Sequence, residues 1–206
     1  MMKILSRVLV TALLTVSFAA SADDTTTKTQ PSDAPKTAET PAKPAKPAKL
    51  KQAELQVMAH YHAVNKMEID LGNAAAKKAM TDAVKEYGKM LVKDHGESDK
   101  ALLALAKKTG QVIPAEKPAD DIEKKEKADD KAQAAKLKTL KGADFEREYL
   151  RMMVQGHEKE LGKIDANIAK VENAELADAL KAKKPVLQHH ADSARELQKN
   201  EPTASR

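Results

Sequence analysis

The sequence predicts an all-α protein whose ordered part is a four-helix bundle. Three observations carry that expectation. From Leu50 onward, apolar residues recur every three or four positions in four stretches of nearly 30 residues each. No segment alternates convincingly at period two, so no sheet is expected. Beyond the N-terminal leader the only aromatic residues are Tyr61, Tyr87, Phe145 and Tyr149. The remaining apolar residues are Ala, Leu, Val, Ile and Met, which suit close helix–helix packing.

The first 22 residues read as a signal peptide rather than as part of the fold. Lys3 and Arg7 form a positive start, and Val8 to Ala20 is an apolar run too short to span a bilayer comfortably. Ala20-Ser21-Ala22 supplies the small residues of a cleavage site, so the mature chain is expected to begin at Asp23 in a periplasmic or secreted setting. Cleavage removes Lys3 and Arg7 and takes the net charge from +5 to +3. That mild excess does not call for a nucleic acid, and the scarcity of aromatics argues against a stacking platform for bases. There is no cysteine, so neither a disulfide nor a lipidated cysteine is available. No transmembrane segment is expected once the signal is removed.

Residues 23–49 read as a disordered Pro/Ala/Lys-rich linker. Its Pro41-Ala-Lys-Pro44-Ala-Lys-Pro47-Ala-Lys repeat favours an extended polyproline conformation. It is a spacer or, through its lysines, a contact for an anionic envelope surface. The bundle domain is expected over 50–200 and a disordered tail over 201–206.

Helix 1 is predicted over roughly 50–79, with Val57, Tyr61, Val64, Leu71 and Ala75 on one stripe. Thr81-Asp82 offers a cap for helix 2, roughly 82–109, whose stripe carries Val84, Tyr87, Leu91, Ser98, Leu102 and Leu105 before Gly110 ends it. Pro114 and Pro118 break the chain. The Lys/Glu/Asp-rich run 120–140 is predicted as a solvated connecting helix. Helix 3 follows over roughly 144–172, with Phe145, Tyr149, Met153, Leu161, Ile164 and Ile168 inward. Helix 4 spans roughly 174–199, with Leu176, Leu180, Leu187, Ala194 and Leu197 inward and a kink expected at Pro185. A connector of about 30 residues between helices 2 and 3 is long for adjacent antiparallel helices. It could cross the bundle end to end, as in ferritin-like bundles, although an up-down-up-down topology remains open.

The apolar stripes contain polar residues. Glu68 lies four after Val64 and three before Leu71, and His95 four after Leu91. His157 lies four after Met153, and His190 three after Leu187. Each stands near the midpoint of its helix, so the four are expected in one central layer. A carboxylate and three imidazoles in an apolar layer cost several kcal/mol if left unpaired. Metal coordination (Zn, Cu, Fe or Mn) and mutual hydrogen bonding are the two ways of meeting that cost. Asp94 and Glu158, beside His95 and His157, are additional donors, acceptors orienting an imidazole, or plain solvated residues.

Other residues offer less. His60 and His62 point to different sides of helix 1, and His189 is expected to face outward; together they make a weak surface metal site or, more simply, ordinary surface histidines. The methionines, among them Met152 and Met153, read as soft-metal donors or as core filler. Ser98 has no oxyanion hole beside it, and the seven glycines form no phosphate loop, so hydrolase and nucleotide chemistry are unsupported.

The segments Met67-Glu68-Ile-Asp-Leu71-Gly72, Lys93-Asp94-His95, Phe145-x3-Tyr149, Val154-x2-His157-Glu158 and Pro185-x-Leu187-x2-His190 resemble those of a bacterial domain-of-unknown-function family, the one numbered 4142. The resemblance spans roughly 54–198. It implies an exported ferritin-like four-helix bundle with one Glu and three His facing inward, and no established reaction. The chain departs from the family at Gly156, where members tend to carry Asp. It also departs from di-iron bundles, which place Glu three residues before His; here those positions are Val92, Val154 and Leu187. The expectation is therefore a metal-binding envelope protein with a role in metal or oxidant stress, a non-catalytic envelope scaffold whose polar layer is structural, or a small redox-metal enzyme.

Overall fold

The computed structural model describes residues 48–200. Among them are five helices and no strand: α1 (Gln52–Lys78), α2 (Asp82–Thr109), α3 (Asp121–Thr139), α4 (Gly142–Ile168) and α5 (Ala174–Lys199). The predicted signal peptide, nearly all of the arm and the predicted tail lie outside the described residues. None of the described helices is long and apolar enough to cross a membrane.

Local chemistry sets the helix ends. The Glu54 carboxylate reaches back to the Lys51 N–H at 2.7 Å, closing the first turn of α1. Its other oxygen accepts from the N–H groups of Glu172 and Asn173 at 2.9 and 2.6 Å. This buried carboxylate therefore captures the loop after α4. The helix stops at Ile168, short of the predicted residue 172: the Lys170 and Val171 N–H groups turn to carbonyls three residues back, and the next two N–H groups go to Glu54. Asn173 then caps α5, accepting from Leu176 N at 3.0 Å. Thr81 caps α2, and Gly110 ends it at φ 69, a left-handed conformation that favours glycine. Helix α5 runs unbroken through Pro185.

Helix α1 packs against α2 and α4, and α5 packs against the same two. The α1–α2 contact is close at Gly72 and Gly88, where a Cβ on either residue would lie 2.6 Å from the other's carbonyl oxygen. A side chain at either position would force the two backbones apart. Helix α3 rests on α4 and buries only Leu137. Partly exposed ion pairs, Lys163–Glu126 at 2.9 Å and Lys159–Asp130 at 3.0 Å, help hold it there. Such pairs contribute at most about 1 kcal/mol each.

The core falls into two apolar parts. One gathers Leu71, Tyr87, Leu91, Phe145, Tyr149 and Met153. The other gathers Val57, Met58, Tyr61, Leu102, Ile164 and Leu180. Along each long helix, buried polar residues stand between the two: Asn65 and Glu68 on α1, His95 on α2, His157 and Glu160 on α4, His190 on α5; Lys183 lies within the second part, between Leu180 and Leu187.

Candidate metal centre

His95, His157 and His190 come from α2, α4 and α5, and each is almost wholly buried. Each follows a turn that anchors its helix in the core: Leu91 before His95, Met153 before His157, Leu187 before His190. Each ring offers a nitrogen, and these nitrogens lie within 4.8 Å of one another. The ring centroids are 5.1–5.7 Å apart.

The outer nitrogens fix the tautomers. His157 Nδ1 lies 2.7 Å from the Met153 carbonyl oxygen. A carbonyl only accepts, so Nδ1 carries the hydrogen and Nε2 is bare. His95 Nδ1 donates in the same way to Asn65 Oδ1 at 3.0 Å. Its Nε2 is then bare too, and it is buried with no hydrogen-bond partner. His190 Nε2 donates to Asp94 Oδ2 at 3.0 Å. With one proton on the ring, His190 Nδ1 is bare and faces His157 Nε2 at 3.2 Å.

One proton per ring is the expected state at neutral pH. Burial lowers His157 and His190 to about 4, against the partial opposition of the Met153 carbonyl and Asp94 respectively. Burial, with the nearby Lys183 ammonium, drives His95 far below the ordinary imidazole range. Two bare nitrogens 3.2 Å apart repel each other unless a proton or a cation lies between them. This chemistry fits a metal ion: three neutral imidazoles with lone pairs turned together, and an oxygen acceptor behind each ring. Histidine ligands are generally oriented by such acceptors.

A family model described as "Domain of unknown function (DUF4142)" matches residues 39–197. The chain belongs to the DUF4142 family. No curated protein matches it. Among solved structures it is similar to a DUF305 fragment from Deinococcus radiodurans, at 17% identity and a TM-score of 0.61, over 73% of this chain and 98% of that one. It is also similar to CopM in a Cu(II)-bound form, at 15% identity and a TM-score of 0.55, over 72% of this chain and 96% of that one. A silver-bound form of CopM, obtained by co-crystallization, matches at 16% identity and a TM-score of 0.53, over 74% and 97% of the two chains. At these identities the likeness is one of fold.

In this DUF4142 chain the other residues marked by the sequence lie apart from the three nitrogens. Glu68 is buried, and its Oε2 has no hydrogen-bond partner. Burial raises its carboxyl to about 8, against the opposing pull of Lys183. It stands outside the group within 4.8 Å and lines a different cavity, of about 450 Å3, beside Met67, Met152 and Met153. Asp94 is the acceptor behind His190. Glu158 is exposed and pairs with Arg195. His62 bonds Asp99 at 2.6 Å, and His189 is exposed.

Three further buried polar residues near the site are not among those predicted from the sequence. Asn65 positions His95 while accepting from Lys183 Nζ at 2.8 Å and donating to Ser98 Oγ at 3.2 Å. Lys183 is buried, and burial lowers it to about 8 although Glu160, Glu68 and Asp99 oppose the shift. Glu160 is buried and bonded to His60. The stripe-filling rule marks each of them. Asn65 is four after Tyr61, Lys183 three after Leu180, and Glu160 three after His157.

A second group, His60, Glu116 and Glu123, also has potential ligand atoms within 4.8 Å of one another. Its chemistry differs. His60 Nδ1 meets Glu116 at 2.7 Å and Nε2 meets Glu160 at 2.8 Å. Burial disfavours charge on this ring, but the two carboxylates raise it to about 9. Both ring nitrogens therefore carry hydrogen, and the group reads as an ion-pair network with Lys127 rather than a ligand set.

Proposed function

We propose that this DUF4142 protein is an exported metal-binding four-helix bundle of the cell envelope, and that His95, His157 and His190 hold the ion. The observation that carries this reading is the set of three bare nitrogens, one without any partner, each backed by an oxygen acceptor on the far side of its ring. A shared proton would relieve the His157–His190 pair, but it would leave His95 Nε2 unsatisfied. A metal ion satisfies all three. The ring of contacts α1–α2–α5–α4 supports the bundle architecture, with α3 as the connector.

Imidazole nitrogen suits copper, zinc and iron, whereas manganese prefers carboxylate oxygen. The fold likeness to CopM in copper- and silver-bound forms favours copper among them. Asp94 serves as the orienting acceptor of His190. Glu68 could supply a fourth donor only after turning from the cavity it lines; a three-histidine set with an open position needs no such movement. Glu158, in its surface pair with Arg195, has no part in the site. Periplasmic export rests on the N-terminal 22 residues, and a role in metal or oxidant stress follows from buffering a redox-active ion there.

The rival reading is a non-catalytic envelope scaffold in which the polar layer only fixes helix register and the Lys-rich arm makes the contacts. Elemental analysis of untagged protein purified from the envelope separates the two. About one transition-metal ion per chain, with thermal stability lowered by a chelator, supports the metal reading. A metal-free protein that takes up no copper, zinc, iron or manganese on titration would sink it.

A further inference from the structure

A cavity of about 300 Å3 lies between α2 and α5. Two histidines of the trio, His95 and His190, form part of its wall. Lys183 and Ser98 line the same space. Lys183 is buried, and its ammonium donates to Asn65 Oδ1 at 2.8 Å and to Ser98 Oγ at 3.1 Å. It also stands 5.6 Å from the centre of the Tyr61 ring. Its hydrogen-bond partners are thus neutral, and among the described residues no carboxylate forms an ion pair with it. A buried ammonium without a direct counter-charge is costly to maintain. A metal ion on three neutral imidazoles would add further positive charge nearby.

We propose that this cavity is a binding site for a small anion, held by the Lys183 ammonium and completing the coordination of the ion on the histidine trio. The inference rests on the metal-binding reading above. Three protein ligands leave a position open on a four-coordinate ion, and the cavity is the space that reaches the trio. The acidic residues on its wall do not fill the role. The Asp94 carboxylate is taken by His190, and Glu97 is exposed. Leu102, Leu180 and Leu187 make up apolar wall, so a weakly hydrated anion of the azide or thiocyanate kind is favoured over strongly hydrated phosphate. Cationic amines are disfavoured by Lys183 itself.

The test uses the mature full-length protein loaded with Co(II), whose visible bands report coordination, titrated with sodium azide. The expected result is a saturable change in those bands. In Lys183→Met the azide affinity falls by at least about tenfold, while Lys183→Arg keeps most of it. Ala101→Phe, which adds bulk on the cavity wall and keeps the Lys183 side chain, blocks the change; it carries the test if Lys183→Met does not fold. Co(II) bands that form normally but ignore azide would overturn the anion site and leave the metal site standing. Equal azide affinity in the Met and Arg variants would overturn the role of Lys183. Failure of the wild type to take up Co(II) would remove the metal reading, and this inference with it.

Discussion

His60 is half-buried and His157 fully buried, yet the fold puts these two histidines in opposite charge states. His60 is held between two carboxylates, Glu116 and Glu160, which raise it to about 9. His157 has a backbone carbonyl on one side and another imidazole on the other, and burial lowers it to about 4. Burial opposes charge at both; the neighbours decide the outcome. Two carboxylates around a ring make an ion pair, whereas one carbonyl acceptor and a neighbouring neutral imidazole leave the ring uncharged, with a bare nitrogen turned inward.

The most direct way to break the comparison is to remove a ring from each region. His157→Ala is expected to weaken copper or zinc binding by more than about a hundredfold, since losing a ligand exceeds the 10–100-fold typical of its supporting acceptors. His60→Gln should change that affinity little. Isothermal titration of both variants checks this, and similar losses in the two would erase the distinction.

The two regions should also respond to pH in opposite windows. His157 and His190 have folded values below the unfolded 6.5, so the unfolded chain binds more protons between about 4 and 6.5. Stability of the metal-free protein therefore falls as pH drops through that range, by up to about 3 kcal/mol per ring. His60 has a folded value above the unfolded one. Its contribution is complete below 6.5 and is lost as pH rises through about 9. Denaturant melts from pH 4 to 10 should show both slopes. Glu68, raised to about 8, and Lys183, lowered to about 8, contribute to the alkaline limb in opposite senses, so His60→Gln should reduce that limb without abolishing it, and His157→Gln should reduce the acid one.

A finer test concerns the acceptors. Asp94→Asn keeps the shape but weakens the hold on His190 Nε2–H, so metal affinity should fall roughly 10- to 100-fold, as measured by competition with a chromophoric chelator. The smallest effect is expected at Glu158. Its exposed pair with Arg195 is screened by solvent, so Glu158→Ala should leave metal affinity unchanged and lower the melting point only slightly.

Much of the molecule could be read from residue order alone. The spacing of Val84, Leu91, Leu102 and their counterparts predicts helices whose observed limits differ by a few residues. Thr81 and Gly110 mark the two ends of α2 through short-range geometry. The same 3.6-residue repeat places His95, His157 and His190 inward, and it also reaches Asn65, Glu160 and Lys183. These properties are local, because a helix fixes which side chains share a face without reference to the rest of the chain.

What needed the assembled tertiary structure was which inward residues meet. Glu68 satisfies the same spacing as the histidines but lines another cavity. His60 finds its two carboxylates 56 and 100 positions away. Glu54 holds the loop after a helix more than 100 residues downstream. The lateral rotation of each helix about its axis, and hence the partner across the interface, is set by how all the helices pack at once. Tautomer and charge then follow from those partners.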